Sequence, residues 1–475
     1  MLLRQTRLYL PAQIGAPLVQ LASVLIWAHL LPGAELGKLM LVVALQDILF
    51  AFCFVWWSHF VLRFLPRFSG AERERFRSTE TAVLTLSSIL QIVIVSGFCR
   101  LWFPDEAGFF SMAAAAFITA RALATYGSER ARAEGRIFRY TMLQAALPGA
   151  GLLLSILAIT KFGARADVAL LGAALPLTAA FPFVPCPRTG FDRDILKRAL
   201  SFGLPAMAAA LLATLALNLP RFVVDLLLGH AAAGVFAVIY GLGLRASTFA
   251  VMLVTAGAYP LAVRRMEEEG EGAGFGQVSA NTVLVYLVTV PIALGLAATA
   301  GTVSALVLPA DMHATAGTLL PVVALVGLFR YLRAHTTDQV FLLLEKPNII
   351  AVFAAAELAL TAILTVAATL HYGLAGAVLG PLCAVAAIAA LSAARASHSG
   401  FRLPLSTLGR IVLAAVLMAC CVFLTGDTTS LSGLALHIAA GGLIYSLLLA
   451  VFFPYEARSL MQRSLLSPQD AKGIP

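Results

Sequence analysis

LPAMAAALLATLALNLPRFVVDLLLGHAAAGVFAVIYGLGLR (Leu204–Arg245) reads as two membrane-spanning helices joined by a turn of small residues, Gly229 to Gly234. The first helix carries Asn218, Arg221 and Asp225, whose spacings place all three on one helical face as a polar stripe along an apolar rod. The second carries Arg245 near its middle. An arginine held in hydrocarbon costs about 3 kcal/mol or more, so both arginines are expected to face a water-filled cavity or a partner. Two arginines on consecutive helices, with one aspartate nearby, point to a cavity that holds an anion. A purely structural reading stands beside it: Arg221 and Asp225, four residues apart, neutralise each other and staple helices together. Arg245 has no acid within one turn.

Composition extends this reading to the whole chain. Of 475 residues, 60% are hydrophobic and only 12% charged, against roughly a quarter charged in soluble domains, so the expected fold class is an all-α polytopic membrane protein. About fourteen apolar runs of spanning length follow one another. They lie near 8–31, 39–62, 79–103, 107–128, 137–160, 167–185, 199–228, 232–262, 279–308, 316–334, 348–370, 373–394, 408–425 and 431–453. The first is too long for a signal-peptide core and lacks a cleavage site. With the N-terminus inside, 27 Lys and Arg fall on the cytoplasmic side and 4 on the other, leaving Arg221 and Arg245 within the membrane. The net charge of +9 is therefore topological, and no nucleic-acid partner is expected. Trp27, Trp56, Trp57 and Trp102 fall near predicted helix ends, as an aromatic belt requires.

An internal repeat divides the runs. Leu-Pro-Ala recurs at Leu10–Ala12 and Leu204–Ala206, and Leu31-x5-Gly37 is echoed by Leu228-x5-Gly234 at an offset of 197. Six helices separate the copies, which implies parallel repeats related by an axis along the membrane normal. The expected organisation is two pseudo-symmetric six-helix lobes, 1–198 and 199–400, with the last two helices and a cytoplasmic tail in 401–475.

The run RFVVDLLLGHAAAGVFAVIY (Arg221–Tyr240), preceded by LSFGLP (Leu200–Pro205), resembles the polysaccharide and O-antigen flippases of the multidrug, oligosaccharidyl-lipid and polysaccharide exporter superfamily. AYPLAVRR (Ala258–Arg265) and FLLLEKPN (Phe341–Asn348) fit the same pattern, and the helix count extends it over nearly the whole chain. One departure stands out: the family often has an acid immediately before the arginine, and here that position is Pro220. The resemblance implies two lobes rocking about a central cavity to carry a polyprenyl-diphosphate-linked oligosaccharide across the bacterial inner membrane. Arg221 and Arg245 would grip the diphosphate, and Asn218 would bond to phosphates or sugar hydroxyls. Asp47, Asp225 and Glu357 are the candidates for coupling to an ion gradient. Membrane lipid and other polysaccharide-assembly membrane proteins are the expected partners.

Two other classes compete. A multidrug or small-solute antiporter of related fold more often has twelve helices and prefers cationic drugs, which two cavity arginines repel. A membrane polymerase or ligase usually displays a substantial outer loop, whereas the outer loops here are short, so no enzymatic activity is expected. No cofactor or metal is expected either. The stretch Gly270–Gly276 has glycines but no preceding strand and no lysine, so it reads as a flexible acidic loop. The histidines lack metal spacing. Of the six cysteines, all but Cys186 lie within or beside apolar runs and read as small core residues.

Overall fold

Hydrocarbon supplies no partner for a backbone N–H or C=O, so a spanning chain of this composition must pair its backbone within helices. The computed structural model describes residues 2–183, 191–255 and 258–454, and among these the regular structure is helical. Cys186, Gly190 and the tail from residue 455 lie outside the described residues. The helices are α1 (Leu2–Leu30), α2 (Gly33–Cys53), α3 (Val55–Phe64), α4 (Gly70–Trp102), α5 (Ala107–Ala133), α6 (Ile137–Thr141), α7 (Leu147–Phe162), α8 (Ala166–Leu177) and α9 (Arg193–Leu228). They continue as α10 (His230–Thr255), α11 (Ala258–Glu269), α12 (Glu271–Ala298), α13 (Ala300–Val307), α14 (His313–His335), α15 (Thr337–Leu343), α16 (Pro347–His398), α17 (Leu405–Leu424) and α18 (Leu431–Phe452). Eleven helical stretches among the described residues are long and apolar enough to cross a membrane. Two shorter apolar ones, Gly15–Leu30 and Ala166–Phe181, fall where the first and sixth runs were read. The 52-residue α16 covers the eleventh and twelfth runs and turns sharply at Gly373, whose φ of 58° only glycine adopts at little cost.

The chain divides into two units. Met1–Val238 with Ala351–Gly380 form one, and Ile239–Ile350 with Pro381–Pro475 form the other. In the first, an aromatic core gathers Phe54, at the junction of α2 and α3, with Trp57, Phe60, Phe76 and Tyr126 from α3, α4 and α5, and Trp57 is stacked 5.4 Å from Phe76. The polar edges of this core are closed internally: the Trp57 indole donates to the Tyr126 hydroxyl at 3.2 Å, and that hydroxyl donates to Glu80. Arg130 Nε, 2.9 Å away, neutralises the fully buried Glu80 carboxylate. A buried carboxylate deprived of such a partner is strongly destabilising. At the other end of the unit, Lys38 Nζ donates to Glu35 at 2.7 Å and Glu106 at 2.5 Å, while Glu35 also accepts from the Ala166 amide. This ties the starts of α2 and α8 to the turn before α5.

Small residues let these helices approach at backbone contact. A Cβ on Gly172 would lie 2.8 Å from the Leu154 carbonyl, so α7 and α8 pack without side chains between them. The expected repeat contributes a second such contact. A Cβ on Gly37 would strike the carbonyl of His230, and one on Gly234 would lie 2.7 Å from the carbonyl of Gly33. His230 and Gly234 follow Gly33 and Gly37 by the same 197 positions, so the contact is reciprocal, as it is when two copies of one motif meet across a two-fold axis.

The second unit packs α12, α14, α17 and α18 around Val285, Val290, Leu328, Leu332, Ala414, Met418 and Tyr445. The Tyr445 hydroxyl donates to the Leu287 carbonyl at 2.9 Å, which disposes of the one polar atom that ring carries inward.

Four local readings are corrected. Gly229 alone, at φ 86°, makes the turn between α9 and α10, and the chain is helical again from His230, so Ala231–Gly234 belong to α10. Gly270, at φ 92°, likewise reverses the chain alone, and 271–276 form the first turns of α12 rather than a loop. The tryptophans do not form a belt: Trp27 and Trp57 are buried, and the indoles of Trp27, Trp56, Trp57 and Trp102 all donate to internal acceptors. Cys53 and Cys99 are core residues, but Cys383, Cys420 and Cys421 are exposed on outward helix faces.

The Gly33–Gly37 contact makes a definite prediction. Gly37→Ala should lower stability by about 1–3 kcal/mol through overpacking against His230 backbone, whereas Gly97→Ala, with nothing within 4 Å, should be neutral or slightly stabilising. Thermal unfolding of the two purified variants checks this, and equal midpoints would remove the close approach.

Candidate functional site

The polar stripe read from the sequence lies on α9, in the first unit, and begins with Asn218. This residue is fully buried; its amide donates to the Thr214 carbonyl at 3.0 Å, which fixes the orientation of the side chain. Its oxygen accepts a hydrogen bond from Arg221 Nη1, so Asn218 orients the guanidinium one turn along the same face. Arg221 itself is half-buried. Planar donors held in a fixed plane suit phosphate oxygens, which accept two of them at once.

Asp225 turns elsewhere. Its side chain is 2% exposed, and both carboxylate oxygens are engaged: Trp102 Nε1 donates to Oδ2 at 2.6 Å, and His230 Nδ1 lies 2.6 Å from Oδ1. The ring of His230 rests 5.2 Å from that of Phe103, while Trp102 stacks on Phe98 at 5.2 Å and meets Phe222 edge-on at 6.1 Å. The end of α4 and the start of α10 thus enclose the carboxylate in an aromatic shell. The partners of this carboxylate are thus Trp102 and His230. Neither Trp102 nor His230 stood out in the sequence, because their partner lies more than a hundred residues from one of them and across a turn from the other.

Asp47 is exposed on α2 and lies within electrostatic reach of Arg121 on α5. Arg121 is the residue the sequence reading missed. It was counted with the inner loop, yet it sits at the middle of α5 and is half-buried there. Glu357, on the first half of α16, is 2% exposed. It heads a stripe continued by Thr361, Thr365 and Thr369, all buried, whose three hydroxyls have no hydrogen-bond partner among the described residues. Other helical threonines, such as Thr282 and Thr299, bond back to the carbonyl one turn earlier.

Arg245 lies on the part of α10 that belongs to the second unit and is half-buried. One turn on, the Thr248 hydroxyl donates to Tyr331 at 2.6 Å. This unit also contains an apolar groove of about 590 Å³ built by α12, α17 and α18, with Pro291, Ile292, Met418, Ile438, Gly441 and Gly442 among its walls. A side chain on Gly442 would meet nothing within 4 Å, so that position opens into free space.

Comparison with known proteins agrees with the resemblance read from the sequence. Residues 116–314 match the family model described as polysaccharide biosynthesis protein. The fold is similar to that of the lipid II flippase MurJ in an inward closed conformation, with 14% identity, a TM-score of 0.76, and coverage of 96% of this chain and 99% of that one. It is also similar to an inward-facing MATE family transporter of the MOP superfamily, at 15% identity, TM-score 0.64, and coverage of 81% and 95%. An outward-facing MATE family transporter matches at 15% identity, TM-score 0.54, over 83% and 94%. No curated protein matches the sequence. The chain is a multi-pass membrane protein with the fold of MOP superfamily transporters.

If the shell around Asp225 is a unit of its own, Trp102→Phe and Asp225→Asn should be strongly coupled, by about 1–3 kcal/mol in a double-mutant cycle, with a smaller term for Arg221→Met and Asp225→Asn. Thermal stability of the four-variant sets measures both. A larger coupling for the arginine would restore the neutralising pair.

Proposed function

We propose that this protein is a flippase that moves a polyprenyl-diphosphate-linked oligosaccharide, a polysaccharide or O-antigen repeat unit, across the cytoplasmic membrane by alternating access. The observation that carries this reading is the presence, in one chain, of an arginine on an apolar helix, oriented by Asn218, and of an apolar groove built by α12, α17 and α18. Such a substrate has a doubly anionic head, a polar glycan and an isoprenoid tail, and needs both environments. Asn218, Arg221 and Arg245 would bind the diphosphate, while the groove of α12, α17 and α18 would take the tail.

The extent of the structural likeness supports the same choice over a multidrug antiporter. MurJ is matched over 96% of this chain, including its last helices, whereas the MATE transporters are matched over 81–83%. Two rocking lobes, 1–198 and 199–400, with 401–475 appended, would supply the motion. Both termini would be cytoplasmic, in the bacterial inner membrane, beside other proteins of polysaccharide assembly. Ion coupling would fall to Asp225, Asp47 or Glu357. Asp225 is favoured by its direct bond to a second ionisable side chain, His230.

Flipping of a lipid-linked oligosaccharide in reconstituted vesicles tests this directly. Arg221→Gln and Arg245→Gln should each reduce it by about a hundredfold, the scale of 2–3 kcal/mol for a charge-assisted bond, with thermal midpoints near wild type. Lysine at either site should restore part of the loss, because charge returns without the planar fork. Full transport by both glutamine variants would end the diphosphate assignment. The groove has its own test: Gly442→Leu places a side chain in open space, so it should fold, slow transport of a long-chain substrate several-fold, and spare a short-chain prenyl analogue. Equal slowing of both substrates would show that the groove does not hold the tail.

A further inference from the structure

Where α3 ends and α9 begins, three arginines converge on one aromatic ring. The guanidinium carbons of Arg63, Arg67 and Arg198 lie 5.7, 5.6 and 6.0 Å from the centroid of Phe64. Arg63 is also 5.0 Å from the ring of Phe202, and Arg198 is 6.0 Å from that of Phe68. The rings brace one another: Phe64 meets Phe202 edge-on at 5.3 Å and Phe60 at 4.8 Å, and Phe68 lies against Phe76. All three arginines are exposed, all belong to the first unit, and among the described residues none has a carboxylate within ion-pair distance. The nearby acids are used elsewhere. Asp192 pairs with Arg75 at 3.5 Å and caps α9 by accepting from the amides of Asp194 and Ile195, while Glu74 pairs with Arg77.

Other arginines of this protein are paired. Arg130, Arg132, Arg165 and Arg264 each have a carboxylate, at 3.2 Å or less. Three like charges held around one ring repel, and stacking on the ring faces fixes their planes while leaving their N–H edges open for an oxyanion. The cluster also stands where polar meets apolar. Phe64 ends α3, and along α9 the face that carries Arg198 continues through Phe202 to the exposed Pro205, beside the exposed Leu204. A ligand with an anionic head and an apolar body matches that boundary.

We propose that Arg63, Arg67 and Arg198, arrayed on Phe64, bind the phosphate of a lipid headgroup at the membrane surface. Basic side chains just outside a span attract anionic lipid through charge; here the aromatic platform adds a fixed geometry, making one seat rather than a diffuse patch. The inference is independent of the flipping reading, because an annular lipid needs no transport.

The test uses the full chain, purified in detergent, titrated with phosphatidylglycerol or phosphatidylcholine, with bound lipid counted by native mass spectrometry. Wild type should retain one phosphatidylglycerol in preference to phosphatidylcholine. The triple variant Arg63→Gln, Arg67→Gln, Arg198→Gln should bind it roughly tenfold more weakly or more, given that each basic contact contributes a several-fold factor. Lysine at all three sites should fall between, since charge remains and stacking weakens. A control triple, Arg264→Gln, Arg395→Gln, Arg402→Gln, removes the same charge from exposed positions in the second unit and should bind as wild type does. Arg221→Gln should also leave retention unchanged, which separates this site from the transport reading. Undiminished retention by the first triple would overturn the proposal, as would equal loss in the control. Displacement of the lipid by millimolar inorganic phosphate would overturn it too, by showing that a free anion suffices.

Discussion

Polar groups inside a bilayer have only the protein to bond with, and that constraint accounts for much of this molecule's architecture. Its clearest expression is Asp225, a carboxylate 2% exposed, satisfied by an indole from α4 and an imidazole from α10. The same rule explains why Glu80 meets Tyr126 and Arg130, why Trp27 meets Ser155, and why Tyr445 meets a backbone carbonyl. Each bond joins two different helices, and each donor or acceptor would be costly to leave alone in hydrocarbon. The polar residues thus serve as ties between rods that have no hydrophobic reason to choose one another, since lipid tails are as apolar as leucine.

Close packing is the complementary half. With no hydrophobic drive between helices, dispersion contacts at short range must supply cohesion, and glycine makes the distance short. The reciprocal approach of Gly33–Gly37 and His230–Gly234 shows this at the point where the sequence repeats itself. A motif that packs against its own copy needs both copies to stay small. That gives a physical reason for the echo at an offset of 197, one that the bare identities in so apolar a chain do not supply.

How much could be read beforehand follows from the range of the forces involved. Hydropathy is local, so the spanning helices emerge from the sequence, and the stripe of Asn218 and Arg221 follows from helical spacing alone. Partners across helices are not local. Nothing near Asp225 in the chain marks Trp102 as its donor, and nothing near Asp47 marks Arg121. Arg121 was counted with the inner-side charges because four further arginines, Arg130, Arg132, Arg136 and Arg139, follow it closely, and charge counting does not see where along a helix a residue sits. Gly270 misled for a related reason: several glycines in a polar stretch look like a loop, yet one positive φ suffices to turn the chain, and the others continue as helix. The tryptophans show the limit of a statistical rule, since an indole near a helix end prefers an internal acceptor when one is within reach.

The arrangement around Arg221 also bears on how an anion and an acid can share one helix face. A bare carboxylate one turn from a diphosphate would repel it and offset what the arginine contributes. Here the indole N–H of Trp102 and the imidazole of His230 stand on the two oxygens of Asp225. Asn218 meanwhile holds the guanidinium from the opposite side. Asp225 is therefore tied to α4 and α10, while Arg221 is oriented by Asn218 on its own helix.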